Sequence, residues 1–269
     1  MKISFSTLSS PEWSWEDTLV AAKDLGFDGI EVRGIENELF VPKANPFLAP
    51  NLPNTINRLA ALRLEIPCLT SSCYLSDKED RNYYIREGEE YIDLANQLGT
   101  PYVRVLGDNT AEPKNIVDTS FVAKNLLTLA QYAEPKQVTL LIETNGYFSD
   151  SAELFKLIQK VDQPNVGVLW DIHHPFRFMN ESVSQTYQRL KNHIRFVHMK
   201  DSTIEDGKLK YKMPGFGDVP VKEALLLLKN DNYQGYISLE WVKRWCLELE
   251  DPGAVFPHFM NYVKNIIKE

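Results

Sequence analysis

The stretch Val138-Thr139-Leu140-Leu141-Ile142, followed directly by Glu143, decides the fold class. This continuous, mostly apolar run does not alternate with polar residues, which indicates a strand covered on both faces, as in a parallel sheet. The same order recurs along the chain: an amphipathic helix ends near a Gly or Asn, a short apolar run follows, and a polar or charged residue ends it. A second example is Val166-Gly167-Val168-Leu169-Trp170-Asp171. The recurrence predicts alternating helices and parallel strands.

Eight strands and eight helices account for the chain. The strands are predicted near residues 3–7, 29–33, 64–70, 102–106, 138–143, 166–171, 194–199 and 236–241. The helices are predicted near residues 14–25, 52–62, 82–98, 119–132, 150–160, 183–192, 220–230 and 252–267. Ser14, with Asp17 three residues later, is a typical helix start, and Gly26 is a typical helix end.

Eight such units without a Pro/Gly/Ser-rich linker predict one domain over residues 1–269. The predicted fold class is α/β, a (β/α)8 TIM barrel, which matches this chain length. A doubly wound open sheet is the alternative. It is less favoured because no G-x-G-x-x-G follows the first strand and no phosphate-binding P-loop motif occurs anywhere.

Charge and cysteine content narrow the classes of partner. Lys and Arg total 29 against 37 acidic residues, a net charge of −8 that repels phosphate backbones and anionic lipid. Neither nucleic acid nor a membrane is therefore expected as a partner. The three cysteines have no C-x-x-C spacing, which argues against a disulfide framework or a cysteine zinc site. With no apolar run of signal-peptide or membrane-span length, a cytoplasmic location is expected.

Four strand ends carry side chains that suit a metal. In a barrel, the C-terminal strand ends converge on one mouth. Those ends carry Glu143, Asp171, His198 and Glu240. Three carboxylates in a partly buried mouth would repel one another, and one divalent cation removes that cost. Oxygen ligands with one nitrogen suit Mn²⁺, Mg²⁺ or Co²⁺, with Zn²⁺ as a further candidate. Each residue alone could instead be a solvated acid, a helix cap or a core histidine, but four successive strand ends favour the metal.

The segments around these four residues resemble a known family. They are Leu141-Ile142-Glu143-Thr144-Asn145, Trp170-Asp171-Ile172-His173-His174, Val197-His198-Met199-Lys200-Asp201 and Ser238-Leu239-Glu240-Trp241. Together they resemble the signature segments of the xylose isomerase-like TIM-barrel superfamily, the sugar phosphate isomerase/epimerase group. The resemblance implies one divalent metal held by the same four side chains and a small-molecule carbohydrate or polyol substrate. Such barrels are often dimers or tetramers, and a homo-oligomer stays open.

The resemblance also implies roles for individual residues. In the epimerase branch, the residues matching Glu143 and Glu240 exchange protons with the substrate. His174, the last residue of the D-x-x-H segment, would contact a substrate oxygen. Arg104 and Lys200, at or near strand ends, are candidates to bind a substrate hydroxyl, carboxylate or phosphate. A surface salt bridge is the alternative interpretation for both.

The expected activity is a divalent-metal-dependent isomerisation or epimerisation of a sugar or sugar phosphate. A metal bridging the carbonyl and a neighbouring hydroxyl would stabilise the enediolate formed when a proton is removed. If a β-hydroxyl leaves instead, the enzyme is a dehydratase of the inosose or 3-dehydroshikimate type. A metal-binding accessory barrel without catalysis is a third alternative. Ketose 3-epimerases carry a glutamate where Ser149 stands and an arginine where Ile204 stands, so that specific assignment is not favoured.

A glycine-containing segment, Pro214-Gly215-Phe216-Gly217-Asp218, follows the seventh strand. Barrels often place phosphate-binding loops here, so its backbone amides are candidates to approach an anion. A plain tight turn is the alternative, since glycine also serves there.

Overall fold

Residues 1–114 and 116–268 are described by a computed structural model, in which helices alternate with strands as predicted. The strands are β1 (Lys2–Ser6), β2 (Gly29–Glu31), β3 (Cys68–Tyr74), β4 (Tyr102–Leu106), β5 (Thr139–Glu143), β6 (Val166–Asp171), β7 (Ile194–Met199), β8 (Asp201–Glu205), β9 (Lys208–Lys212) and β10 (Tyr236–Leu239). The helices are α1 (Trp15–Leu25), α2 (Leu52–Leu62), α3 (Arg81–Leu98), α4 (Thr119–Ala133), α5 (Ser151–Val161), α6 (His173–Met179), α7 (Val183–Leu190), α8 (Val221–Asn230) and α9 (Pro252–Lys268).

Eight strands form one sheet in the order β2-β1-β10-β7-β6-β5-β4-β3. The pairs β1–β2, β1–β10, β3–β4, β4–β5 and β5–β6 are parallel. Because parallel strands place their C-terminal ends at the same edge, the residues that follow β5 and β6 are neighbours, as are those that follow β1, β2 and β10.

The chain divides into two compact units, each with its own packing. The first unit comprises Met1–Pro67 and Val197–Glu269, and the second comprises Cys68–Phe196. In the first unit, the Phe5 ring lies 4.8 Å from Phe27 and 4.2 Å from Phe256, centroid to centroid. In the second unit, helices α3 and α4 pack closely at Gly88, where an added Cβ would lie 2.7 Å from a Leu129 methyl group.

Helix α1 begins and ends where the sequence predicts. The Ser14 side chain accepts a hydrogen bond from the Asp17 amide at 3.1 Å, and the Asp17 carboxylate accepts from the Ser14 amide at 3.2 Å. This reciprocal pair forms a capping box, which satisfies amides that have no partner inside the helix. Gly26 ends the helix in the left-handed conformation, with φ +77°.

Strand β3 differs from its prediction, since it starts four residues late and extends to Tyr74. Residues before it pair with β2 through an isolated bridge between Gly29 and Glu65. Pro67 has no backbone N–H and cannot continue a ladder there. Beyond residue 70, the Ser71 hydroxyl donates to the Arg104 carbonyl at 2.7 Å, so a residue that looks unlike a strand former extends β3 beside β4.

Strands β8 and β9 form an antiparallel hairpin absent from the sequence prediction. Its two-residue turn consists of Asp206 and Gly207, with φ +50° and +72°. Asp-Gly is a strong signal for such a turn, because both central residues need positive φ. Among the helices of the described ranges, none is both long and apolar enough to cross a bilayer.

Candidate active site

In the second unit, Thr144 ties together the ends of β5 and β6. The Thr144 hydroxyl accepts from the Asp171 amide at 2.8 Å and donates to the Asp171 carbonyl at 3.0 Å. Glu143 directly precedes this threonine, and its side chain is buried, as is that of Asp171. The strand-end register therefore holds two predicted metal ligands side by side, both of them buried.

Asp171 also caps the helix that follows it. Its Oδ1 accepts from the amides of His173 at 2.7 Å and His174 at 3.2 Å, which starts α6. The other oxygen, Oδ2, lies 3.9 Å from His174 Nε2. One oxygen of this carboxylate therefore caps the helix start and the other faces a histidine, while the role of Asp171 as a metal ligand stays a prediction. One ligand atom each from Asp171, His173 and His174 lies within 4.8 Å of the others, an arrangement that could hold a metal ion.

The ring of His174 is oriented by the backbone. Its Nδ1 lies 3.0 Å from the Thr144 carbonyl. A carbonyl can only accept, so this contact favours a proton on Nδ1, while the Asn145 amide nitrogen lies 3.3 Å from the same ring atom. Nδ1 is also 4.0 Å from Glu143 Oε1. His174 therefore lies between two acids of this unit, Glu143 and Asp171.

Arg104, from β4, forms a buried ion pair with Glu143 rather than a surface salt bridge. The distance from Arg104 Nε to Glu143 Oε2 is 3.3 Å, and the side chains are 6% and 3% exposed. At this burial the guanidinium stabilises the ionised carboxylate, which would otherwise be costly to desolvate. Glu143 is thus held as a carboxylate with one oxygen toward Arg104 and one toward His174.

In the first unit, His198 lies between two glutamates. Its Nε2 is 2.9 Å from Glu31 Oε1, and its Nδ1 is 3.5 Å from Glu240 Oε1. The second oxygen of Glu31 accepts from the Ser238 hydroxyl at 2.6 Å. A histidine that donates one ring N–H to a carboxylate presents its other nitrogen as a metal ligand, in a fixed orientation.

Glu31 is a site residue that the sequence analysis did not single out. It ends β2 and is buried, with 1% of its surface exposed. The signal was present, because Gly29-Ile30-Glu31 ends an apolar run in an acid, as the segments at Glu143 and Asp171 do.

Lys200 pairs with Glu240. The Lys200 ammonium donates to Glu240 Oε2, and the two side chains are 3% and 8% exposed. Like Arg104 for Glu143, Lys200 keeps a strand-end glutamate ionised inside the protein. The surface alternative for Lys200 is therefore wrong as well, while its role toward a substrate stays a prediction.

The glycine-containing segment after the hairpin is a turn held by Asp201. The Asp201 carboxylate accepts from the amides of Gly215 and Gly217, both at 2.9 Å, and Val219 at 3.1 Å. Burial raises the pKa of Asp201, although these amides oppose the rise. Because the carboxylate already accepts from the two glycine amides, the tight-turn interpretation describes the segment.

Replacing Asp201 by Asn is expected to lower the free energy of unfolding by about 1–3 kcal/mol, since an amide accepts with one oxygen and leaves buried N–H groups unsatisfied. Urea denaturation measures the effect. Asp206→Asn, in the exposed hairpin turn where Asn tolerates positive φ, is the matched control. Equal stability of the two variants would contradict the anchoring role of Asp201.

A family model described as "Xylose isomerase-like TIM barrel" matches residues 19–265 of the chain. Among curated proteins, fructoselysine 3-epimerase of Shigella flexneri is 22% identical over 92% of this chain and 92% of its own length. Inosose isomerase of Halalkalibacterium halodurans is 25% identical over 70% of each chain. Both relatives carry the names of enzymes that rearrange carbohydrate-like substrates.

Solved structures share the fold. A probable 3-DHS dehydratase from Bacillus anthracis superposes with a TM-score of 0.82 at 19% identity, covering 98% of this chain and 99% of that one. A xylose isomerase-like TIM barrel protein from Mycobacterium smegmatis, solved in complex with magnesium, gives a TM-score of 0.77 at 17% identity, covering 99% and 96%. The predicted fold class, a (β/α)8 TIM barrel, is confirmed.

Proposed function

The chain belongs to the xylose isomerase-like TIM barrel family, and from that premise we propose that it is a metal-dependent isomerase or epimerase. Its substrate is a small carbohydrate or polyol, and residues 1–269 act as a single domain. The observation that carries the proposal is an arrangement that occurs once in each unit. Each unit holds a buried glutamate that pairs with a cation and lies beside a histidine, Glu143 beside His174 and Glu240 beside His198. Two such glutamates suit a reaction in which one group removes a proton and another returns one.

One divalent cation is proposed to be held by Glu143, Asp171, His198 and Glu240. The donor chemistry fits Mn²⁺, Mg²⁺ or Co²⁺, with Zn²⁺ as the further candidate, since three donors are carboxylate oxygens and one is an imidazole nitrogen. His198 suits the role because Glu31 fixes its Nε2 and orients the ring. The Mycobacterium smegmatis barrel, solved in complex with magnesium, supports a divalent cation of this group. When bound, the ion supplies stabilisation of the negative charge that develops next to the carbon losing its proton.

Proton transfer is assigned to Glu143 and Glu240. One glutamate, in its carboxylate form, removes the proton next to the substrate carbonyl, and the other, in its protonated form, returns a proton to the opposite face, which inverts that carbon. Return to the neighbouring carbon instead gives an aldose–ketose isomer. Arg104 and Lys200, which pair with the two acids, stabilise the carboxylate form of the one that removes the proton. Metal coordination lowers carboxylate basicity, so the transferring oxygen is one not committed to the ion.

Substrate positioning is assigned to His174, Arg104 and Lys200. With the proton on Nδ1, beside the Thr144 carbonyl, His174 Nε2 would accept a hydrogen bond from a substrate hydroxyl. Arg104 and Lys200 donate to substrate oxygens from the positions in which they already contact the two glutamates. The names of the relatives favour isomerisation or epimerisation over dehydration, because they are a 3-epimerase and an isomerase.

The test is elemental analysis combined with proton–deuterium exchange by NMR, using ketoses, inososes and sugar acids in D₂O with Mn²⁺. About one metal per chain is expected, with exchange at a carbon next to a carbonyl of one panel member. Dialysis against a chelator should abolish the exchange, and added Mn²⁺ should restore it. Loss of water from the substrate would identify a dehydratase instead. Absence of bound metal, or exchange that survives metal removal, would contradict the proposal.

A further inference from the structure

Two arginines of the first unit lie beyond the strand ends that carry the proposed chemistry. Arg33 follows Glu31 by two residues, and Arg244 follows Glu240 by four. Both are fixed to the segment after β1. The Arg33 amide donates to the Thr7 hydroxyl at 2.9 Å, and the Arg244 amide donates to the Leu8 carbonyl at 3.0 Å. Since β1 lies between β2 and β10 in the sheet, the two arginines flank the same strand end.

The two guanidinium groups reach the same short loop. Arg244 Nη1 donates to the Glu36 carbonyl at 2.7 Å, and Arg33 Nη1 donates to the Leu39 carbonyl at 3.4 Å. Arg33 is buried and Arg244 is half-buried. Burial, and then the charge of Arg33, lower the pKa of Arg244. The pair is therefore a local concentration of positive charge in a protein whose net charge is −8.

Arg244 has no carboxylate to balance it. Among the described residues, no acid forms an ion pair with Arg244, and its Nε and Nη2 are buried without a hydrogen-bond partner. Acids close in sequence are engaged elsewhere: Glu38 accepts from the Phe40 amide, and Glu240 accepts from Lys200. Nε and Nη2 form the edge of the guanidinium that binds two oxygens of a carboxylate or phosphate in parallel.

We propose that Arg33 and Arg244 bind an anionic group, a phosphate or a carboxylate, at the end of the substrate remote from the reacting carbon. The inference deepens the proposed function and rests on it, because it narrows the carbohydrate to an anionic one. Arginine stays charged under all ordinary conditions, so the Arg244 guanidinium, which no acid of the described residues balances, attracts an anion. The bound anion supplies both the missing countercharge and the acceptors for Nε and Nη2 of Arg244. An acidic surface otherwise repels such a substrate, which makes a dedicated basic site useful.

The test compares metal-loaded wild type, Arg244→Gln, Arg244→Lys and the control Arg58→Gln. Arg58 is an exposed arginine of the same unit that pairs with Glu16 on a neighbouring helix. Calorimetric titration with inorganic phosphate and with acetate separates the two kinds of anion and needs no turnover. Binding of one of them is expected to weaken about tenfold or more in Arg244→Gln. It should weaken less in Arg244→Lys, which keeps the charge without the planar fork, and stay unchanged in Arg58→Gln.

Thermal unfolding without anion separates binding from structure. If Arg244 serves a ligand, Arg244→Gln removes a charge that no acid balances, and Tm should fall only slightly, through loss of the hydrogen bond to the Glu36 carbonyl. A marked fall in Tm in both Arg244 variants would assign the residue to structure and overturn the proposal. Unchanged anion binding in the two variants would overturn it as well.

Kinetics distinguish failure of this inference from failure of the proposed function. On an anionic panel substrate, Arg244→Gln should raise KM about tenfold or more with kcat little changed, and on its neutral counterpart KM should not move. If no panel member exchanges protons yet anion binding is lost in Arg244→Gln, the anion site stands and the proposed reaction fails. If neutral and anionic substrates respond equally, the anion site fails and the reaction stands.

Discussion

Glu143→Gln is expected to lower turnover about 10²–10⁴-fold while the chain still folds, because an amide cannot take a proton from carbon. The substitution preserves the side-chain shape and keeps it beside Arg104, whose Nε lies 3.3 Å from the native carboxylate. Some loss of stability is expected, since the buried guanidinium loses its countercharge. Circular dichroism and steady-state kinetics on the same preparation measure both effects.

The control for this variant is Glu87→Gln, which changes another buried glutamate of the same unit. Glu87 accepts from the Ser72 amide at 2.6 Å, a bond that a glutamine oxygen can also accept. The Glu87→Gln variant should keep full turnover. Metal analysis of Glu143→Gln then separates the two proposed roles: retained metal without exchange indicates a lost proton acceptor, and lost metal indicates a lost ligand. Turnover equal to wild type would refute the assignment of Glu143.

The sequence predicted the strands that local composition determines and missed features determined by distant partners. Strand β6 matches its prediction at both ends. Asn165 precedes its apolar run and Asp171 ends it, so six consecutive residues contain the whole signal. Strand β3 was misplaced because its later residues pair with β4, about thirty residues away. The β8–β9 hairpin has an Asp-Gly turn signal, but the predicted set of eight βα units did not include it.

The site shows the same division. The position of each acid or histidine at a strand end could be predicted, since alternation of helix and strand fixes which residues end the strands. Pairing could not. Which cation neutralises Glu143 or Glu240 depends on residues about forty positions away, Arg104 and Lys200. The partner of His198, Glu31, lies 167 positions away, and no local pattern links the two. Contacts with these distant residues orient His198 and pair each of the two glutamates with a cation.

His198→Gln is expected to abolish stoichiometric metal binding, and Glu31→Gln to weaken metal affinity about 10–100-fold, because outer carboxylates orient a ligating histidine and raise its basicity. Glu31 receives the Nε2 hydrogen bond at 2.9 Å, and its other oxygen accepts from the Ser238 hydroxyl, so glutamine keeps the side-chain shape, removes the charge and replaces one of the two acceptors by an NH2 donor. The difference in metal affinity between the His198→Gln and Glu31→Gln variants therefore distinguishes a ligand from the residue that positions it. Competition with a chelating indicator measures both affinities.

His193→Gln is the matched control, since His193 directly precedes β7 and so lies at the other end of the strand that carries His198. It should bind metal as wild type does. If His198→Gln retains full metal content, the ion is held elsewhere, and the Asp171, His173 and His174 group becomes the candidate. If Glu31→Gln binds metal as tightly as wild type, the charge of Glu31 does not act through His198, and its contact with His198 serves packing alone.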